Sequence, residues 1–279
     1  MRIKLSLFIV LSGVVVFIPL AVSQPDPELV EQAVPRPIIP KPIVPRPVTA
    51  PQPVQNDPGP NVEAYRRLAQ SGLSQSNLAA NQDFVDRFPG SQLSLRRMRD
   101  IAVFFLLKDQ TDGNNPLETC ARWMETRFSS EAYSWNRYMT ATDSHFLDRV
   151  ETHLLLARIL ASVGKYDHAL RALTEIQTEG EKRSALWNSR SDIRELLDFT
   201  RCWCFDGNQD FQTALSLYEQ FLRDYPSSTL QPGALRNAAT CAEQVGPQSD
   251  RSKTENYRSR LAEEYSGSPE ATVIKRRSR

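Results

Sequence analysis

The sequence predicts an all-α protein: an α-solenoid of about five helix–turn–helix repeats, preceded by a disordered proline-rich linker. Three observations carry that expectation. Apolar residues recur at helical spacing from residue 61 onward. Four segments end alike: FVDRFPGS (84–91), METRFSS (124–130), FLRDYPSS (221–228) and LAEEYSGS (261–268). Proline, dense before Asn61, becomes sparse after it.

The first element is a leader. Arg2 and Lys4 precede the apolar run LSLFIVLSGVVVFIPLAV, which closes on Ala21-Val22-Ser23. A basic start, an apolar centre and a small-x-small end make residues 1–23 a secretory signal peptide, cut after Ser23. The run is also just long enough to span a bilayer, so an uncleaved anchor helix is the competing reading. Only in that case is a membrane contact expected. No cysteine lies near the segment, which excludes a lipid anchor there. The protein is therefore expected to be exported, to the periplasm or cell envelope.

Residues 24–60 hold 12 of the 19 prolines, with a five-residue unit written PRPII, PKPIV, PRPV between 35 and 48. Proline fixes φ and removes the N–H donor, so this stretch reads as an extended polyproline spacer reaching roughly 110 Å at about 3.1 Å per residue. Arg36, Lys41 and Arg46 recur at the same place in each unit. A semi-rigid leash explains them, and so does a ligand for a proline-recognising or anionic partner.

The body is expected over 61–270, with a basic tail at 271–279. In 146–176, Phe146, Val150, His153, Leu154, Ala157 and Ala161 form one helical stripe and Gly164 breaks the helix. Tyr166, Ala169, Leu173 and Ile176 then form a second stripe. Such a pair packs on itself as a hairpin. In the repeated ending, Phe221 and Tyr225 share a face and Pro226 stops the helix. Ser268, Pro269 and Glu270 start the next one well. The residue four before each terminal aromatic, with Ile176 filling the middle hairpin, falls at 84, 124, 176, 221 and 261. Spacings of 40, 52, 45 and 40 residues are those of a helical-repeat array, with 129–145 as an irregular insertion or extra helix.

GKYDHA (164–169) and Phe211-x-x-Ala214-x-x-x-Tyr218 … Pro226 resemble tetratricopeptide repeats. The Y-x-x-F-L-x-x-Y-P-x-S form resembles the exported subgroup found in the Tol–Pal coordinator protein and the outer-membrane-assembly lipoproteins of Gram-negative bacteria. The likeness is best over 146–268 and looser over 78–130. The chain departs from that group in having no lipid-attachment cysteine, no preceding heptads and repeats longer than the usual 34 residues or so. The resemblance implies a concave groove lined by the first helix of each pair, able to hold a protein or peptide partner. Ala157 and Cys202 then take the small position where paired helices cross, with Cys241 at or next to it in the following repeat. Their successors, Arg158 and Trp203, are expected to face the groove, with Glu151 and Thr200 on the same face. Trp203 is the natural anchor, although ordinary inter-helix packing explains it equally well.

Little points to chemistry. Without the leader's two cations the chain carries 32 basic and 33 acidic side chains, too balanced for nucleic-acid binding. Cys202 and Cys241 read as small core residues, and Cys204 is the one expected to pair, with Cys241 or Cys120. No second CxxC or nearby histidine completes a zinc site. His153 reads as a satisfied core histidine. His145 with Asp143 and Asp148 does not converge on one helix face. With no nucleophile elbow, HExxH or phosphate loop, neither enzyme activity nor a cofactor is expected. The function expected is that of an exported, non-catalytic scaffold. A membrane-anchored tether spacing envelope layers and an accessory subunit of an envelope enzyme are the alternatives.

Overall fold

The computed structural model describes residues 6–11, 14–19, 60–107, 116–245 and 251–272. It divides into two compact units, within Met1–Arg36 and Pro37–Arg279. In the first, β1 (Ser6–Leu11) and β2 (Val14–Pro19) pair antiparallel, with Ser6 opposite Pro19 and Leu11 opposite Val14. Both strands are rich in the β-branched and aromatic residues that favour a pleated ladder. Within the apolar run, residues 6–11 and 14–19 are therefore strands and not one continuous helix. Among the described residues no helix is long and apolar enough to cross a membrane. Cleavage after Ser23 and the linker as far as residue 59 lie outside the described residues.

The described residues of the second unit are all-helical. Its elements run α1 (Pro60–Gln70), α2 (Leu78–Arg87), α3 (Gln92–Leu107), α4 (Pro116–Phe128), α5 (Trp135–Met139), α6 (Asp143–Ser162), α7 (Tyr166–Glu181), α8 (Ser184–Ser189), α9 (Ser191–Gly207), α10 (Phe211–Asp224), α11 (Gln231–Val245) and α12 (Arg251–Glu264). Local chemistry sets many of the boundaries. Thr142 caps α6 by accepting the His145 N–H, Asp210 caps α10 by accepting that of Thr213, and Ser268 accepts that of Ala271. The repeated endings close in one way: the N–H groups of Phe88, Tyr225 and Tyr265 donate to the carbonyls of Phe84, Phe221 and Leu261. The five aligned residues Phe84, Met124, Ile176, Phe221 and Leu261 are all buried. The irregular stretch after α4 holds a 3-10 turn (Glu131–Tyr133) and short α5.

Successive helices pack as neighbours: α6 on α7, α9 on α10, α11 on α12. Helix α6 also touches α3, α4, α5 and α9, and so carries apolar residues nearly all round. α3 runs parallel to it, because Leu95, Arg96 and Arg99 meet Thr152, Asp148 and Glu151 in register. The core falls into two clusters that share α9. Ile193, Leu197, Trp203 and Cys204 join the larger one, while Phe199 and Cys202 join the one under α10–α12.

Candidate functional site

Two faces of α6 gather polar side chains. The first faces α3 and α9, where the sequence places the groove. Asp148, 6% exposed, accepts from Gln92 Nε2 at 2.7 Å and Arg96 Nε at 2.8 Å, and pairs with Arg99 at 3.2 Å. Arg99 also pairs with Glu151, and Glu151 accepts from Arg190 at 2.9 Å. Arg190 is held further by Asp192, whose hydrogen bonds push the guanidinium pKa up while Arg190 pulls the Asp192 carboxyl down. This lattice ties α3, α6 and the start of α9 together and satisfies its own charges.

The structure corrects half of the expected groove. Trp203 is 5% exposed and belongs to the larger core cluster, and Thr200, 1% exposed, donates back to the Leu196 carbonyl at 2.6 Å. Neither offers a surface to a partner. Counting one residue on from the close-packing position fails on α9 because α6, α7, α10 and α11 all pack on it, burying most of its circumference. Glu151 and Arg158 are half-buried. Arg158 makes no ion pair among the described residues, and burial pulls its pKa down.

The expected disulfide is likewise absent. Cys120, Cys202, Cys204 and Cys241 are all free and buried. Cys204 and Cys120 sit in one cluster and Cys241 in the other. Burial pushes Cys120 and Cys204 up to about 12, and Cys202 and Cys241 higher still.

On the opposite side of α6 an open cleft of about 340 Å³ lies against α4 and α7. Phe128, Leu156, Leu160 and Ala172 make its apolar lining, and Glu125, Ser129, His168, Arg171 and Glu175 its polar one. Glu125 is already engaged: His168 Nδ1 lies 2.6 Å from its Oε1 and Lys165 Nζ 3.9 Å from its Oε2. Glu175 is 57% exposed, and its nearest partner is His153 Nε2 at 4.0 Å, too long for a hydrogen bond. His153 also lines the cleft but is 4% exposed, and its Nδ1 is buried without a partner. It is a core histidine as expected, but an unsatisfied one. Burial first, and then Arg149, hold it neutral.

Arg149 lies one turn earlier on α6 and is 2% exposed. Its guanidinium carbon stands 4.1 Å from the Phe128 ring centre and 4.2 Å from that of Trp135. Nε donates to the Tyr133 carbonyl at 3.3 Å, while Nη1 is buried without a partner. Among the described residues no carboxylate comes within ion-pair distance, and burial pushes its pKa down to about 10. The sequence carried a trace of this pair, since Arg149 and His153 are two polar residues four apart on an apolar stripe. The cleft residues Glu125, Arg171 and Glu175 left none, because each belongs to an ordinary charged helix face.

Among the described residues no three His, Cys, Asp or Glu side chains stand close enough to hold a metal. The class defined by the described residues of the second unit is an all-α body of neighbouring helix pairs. Comparison with protein-family models, with curated proteins and with solved structures finds no match.

Proposed function

We propose that the chain is an exported, non-catalytic scaffold that binds protein partners in the cell envelope, built from tetratricopeptide-like helix pairs stacked as a solenoid. The observation that carries this reading is the row α3, α6, α9, with α3 parallel to α6 and with α4, α7 and α10 packed against its members. Two further features support it. Ala157, Cys202 and Cys241, the small residues expected where paired helices cross, are 0%, 2% and 0% exposed. Four helix ends also carry the same aromatic stop. The lattice around Glu151 stiffens the row, and the half-buried, unpaired Arg158 is the side chain on it best placed to meet an acidic group of a partner.

The test uses full-length protein as bait in envelope extracts. A stoichiometric partner should be retained by Thr174→Ala, an exposed change on α7, and lost on Arg158→Ala. Retention of every partner by Arg158→Ala overturns the α3–α6–α9 face as the docking surface. N-terminal sequencing of the mature protein checks export, with a start at Gln24 expected.

A further inference from the structure

We infer that the cleft between α4, α6 and α7 is a binding site for an organic cation on an apolar stem, the chemistry of a lysine or arginine side chain. The inference does not depend on the scaffold reading, since this cleft lies on the far side of α6 from the groove face.

Its floor carries the His153 ring, almost wholly buried, with Nδ1 unpaired in the core and Nε2 directed at Glu175 across the cleft. The gap between His153 Nε2 and Glu175 Oε2 is 4.0 Å. A donor nitrogen placed at hydrogen-bond length, about 2.9 Å, from both atoms closes it. An ammonium or guanidinium has donors enough for both acceptors, because the imidazole is held neutral and can accept. Glu175 makes no closer ion pair among the described residues, and Arg149, whose pKa its charge raises, lies buried in an aromatic box. Lys165 and His168 are committed to Glu125 on the facing wall.

The apolar lining suits the stem of such a side chain, which packs its methylenes while its charge stays at the rim. Arg171, one turn before Glu175, forms no ion pair among the described residues and can take a carbonyl of the ligand. An anionic ligand would instead face Glu125 and Glu175 together. The cation has two possible sources: an external basic peptide, or this chain's own Arg36, Lys41 and Arg46.

The test titrates full-length protein by calorimetry with N-acetyl-lysine methylamide and its norleucine and glutamate counterparts. The lysine probe should bind at least about ten-fold more tightly than norleucine, the worth of one charged hydrogen bond. It should also shift the His153 ring-proton resonances. Glu175→Gln should cost a similar factor while leaving the melting temperature unchanged. Equal binding of lysine and norleucine, a preference for glutamate, lysine binding indifferent to Glu175→Gln, or no binding at millimolar probe would each overturn the site. The variant Arg36→Gln, Lys41→Gln, Arg46→Gln separates the sources once lysine binding is seen. Tighter binding than wild type identifies the chain's own segment as the occupant, and unchanged binding identifies an external ligand.

Discussion

Gly164 and Gln209 occupy the same left-handed corner, one after α6 and the other after α9, with φ of +79° and +64°. Each N–H donates three residues back, to Ala161 and Asp206, and the next N–H donates five back, from Lys165 to Leu160 and from Asp210 to Phe205. This pair of bonds ends a helix and reverses the chain into its partner, α7 or α10. Glycine takes the conformation freely, whereas a side chain there costs roughly 1–2 kcal/mol. Glutamine is therefore the strained member of the pair. Gln209→Gly should stabilise the protein by about 0.5–1 kcal/mol once glycine's greater unfolded-state freedom is subtracted. Gly164→Ala should destabilise it by about 1–2 kcal/mol. Urea midpoints check both, and a Gln209→Gly midpoint at or below wild type would refute the strain.

The turn at Gly164 was legible because glycine is a residue type that announces a left-handed corner. Its counterpart at Gln209 was not, since nothing local marks glutamine for that conformation; only the 45-residue offset from Gly164 could have found it. The same contrast holds elsewhere. Helix spans around 146–176 and the four aromatic endings follow from short-range spacing, and the structure has them. Trp203 depended instead on how many neighbours α9 acquires, a tertiary quantity that periodicity does not carry. The cleft is further from reach, because it joins residues of α4, α6 and α7 that are unremarkable along the chain.

Asp206 gives the fold a pH dependence of unusual sign. It is 6% exposed near the end of α9, and burial pushes its carboxyl up to about 6, against the pull of Cys241, Arg236 and Tyr218. The folded pKa lies above the unfolded one, so the stabilisation is complete below about pH 4 and is lost as pH rises through about 6. For this group alone, acidification from pH 7 to pH 5 should stabilise the protein, by no more than about 3 kcal/mol. Asp206→Asn should flatten that part of the profile. Urea titrations of both proteins between pH 5 and pH 7 measure the difference, and parallel profiles would contradict the assignment.

The four thiols should be inert in the native protein. All are no more than 2% exposed, and burial raises every one of their pKa values, so thiolate is scarce at pH 8. A thiol reagent such as 5,5′-dithiobis(2-nitrobenzoate) should titrate none in the folded state and four after denaturation in guanidinium. Fewer than four on denaturation without reductant would reveal a disulfide. Rapid native labelling would place a cysteine at the surface.

Arg149 tests what a buried cation without a carboxylate is worth. Taking a guanidinium out of water costs several kcal/mol, and the usual compensation, an ion pair, is missing among the described residues. Two aromatic faces at 4.1 and 4.2 Å return part of it, about 2 kcal/mol or somewhat more when desolvated. The remaining debt outweighs this return, so Arg149→Met, which keeps much of the length and fills the same box, should leave stability unchanged or raise it. Arg149→Ala removes the packing along with the charge and leaves a hole between Phe128 and Trp135, at a cost of about 2–4 kcal/mol. Arg149→Met has a second consequence one turn along α6. Without the neighbouring charge, the His153 pKa should rise towards its ordinary value, because Arg149 is one of the two causes that depress it. Ring-proton chemical shifts followed against pH report that change directly. A His153 titration identical in wild type and Arg149→Met would refute that coupling, and a methionine variant as unstable as the alanine one would mean that the aromatic box is built to hold the cation.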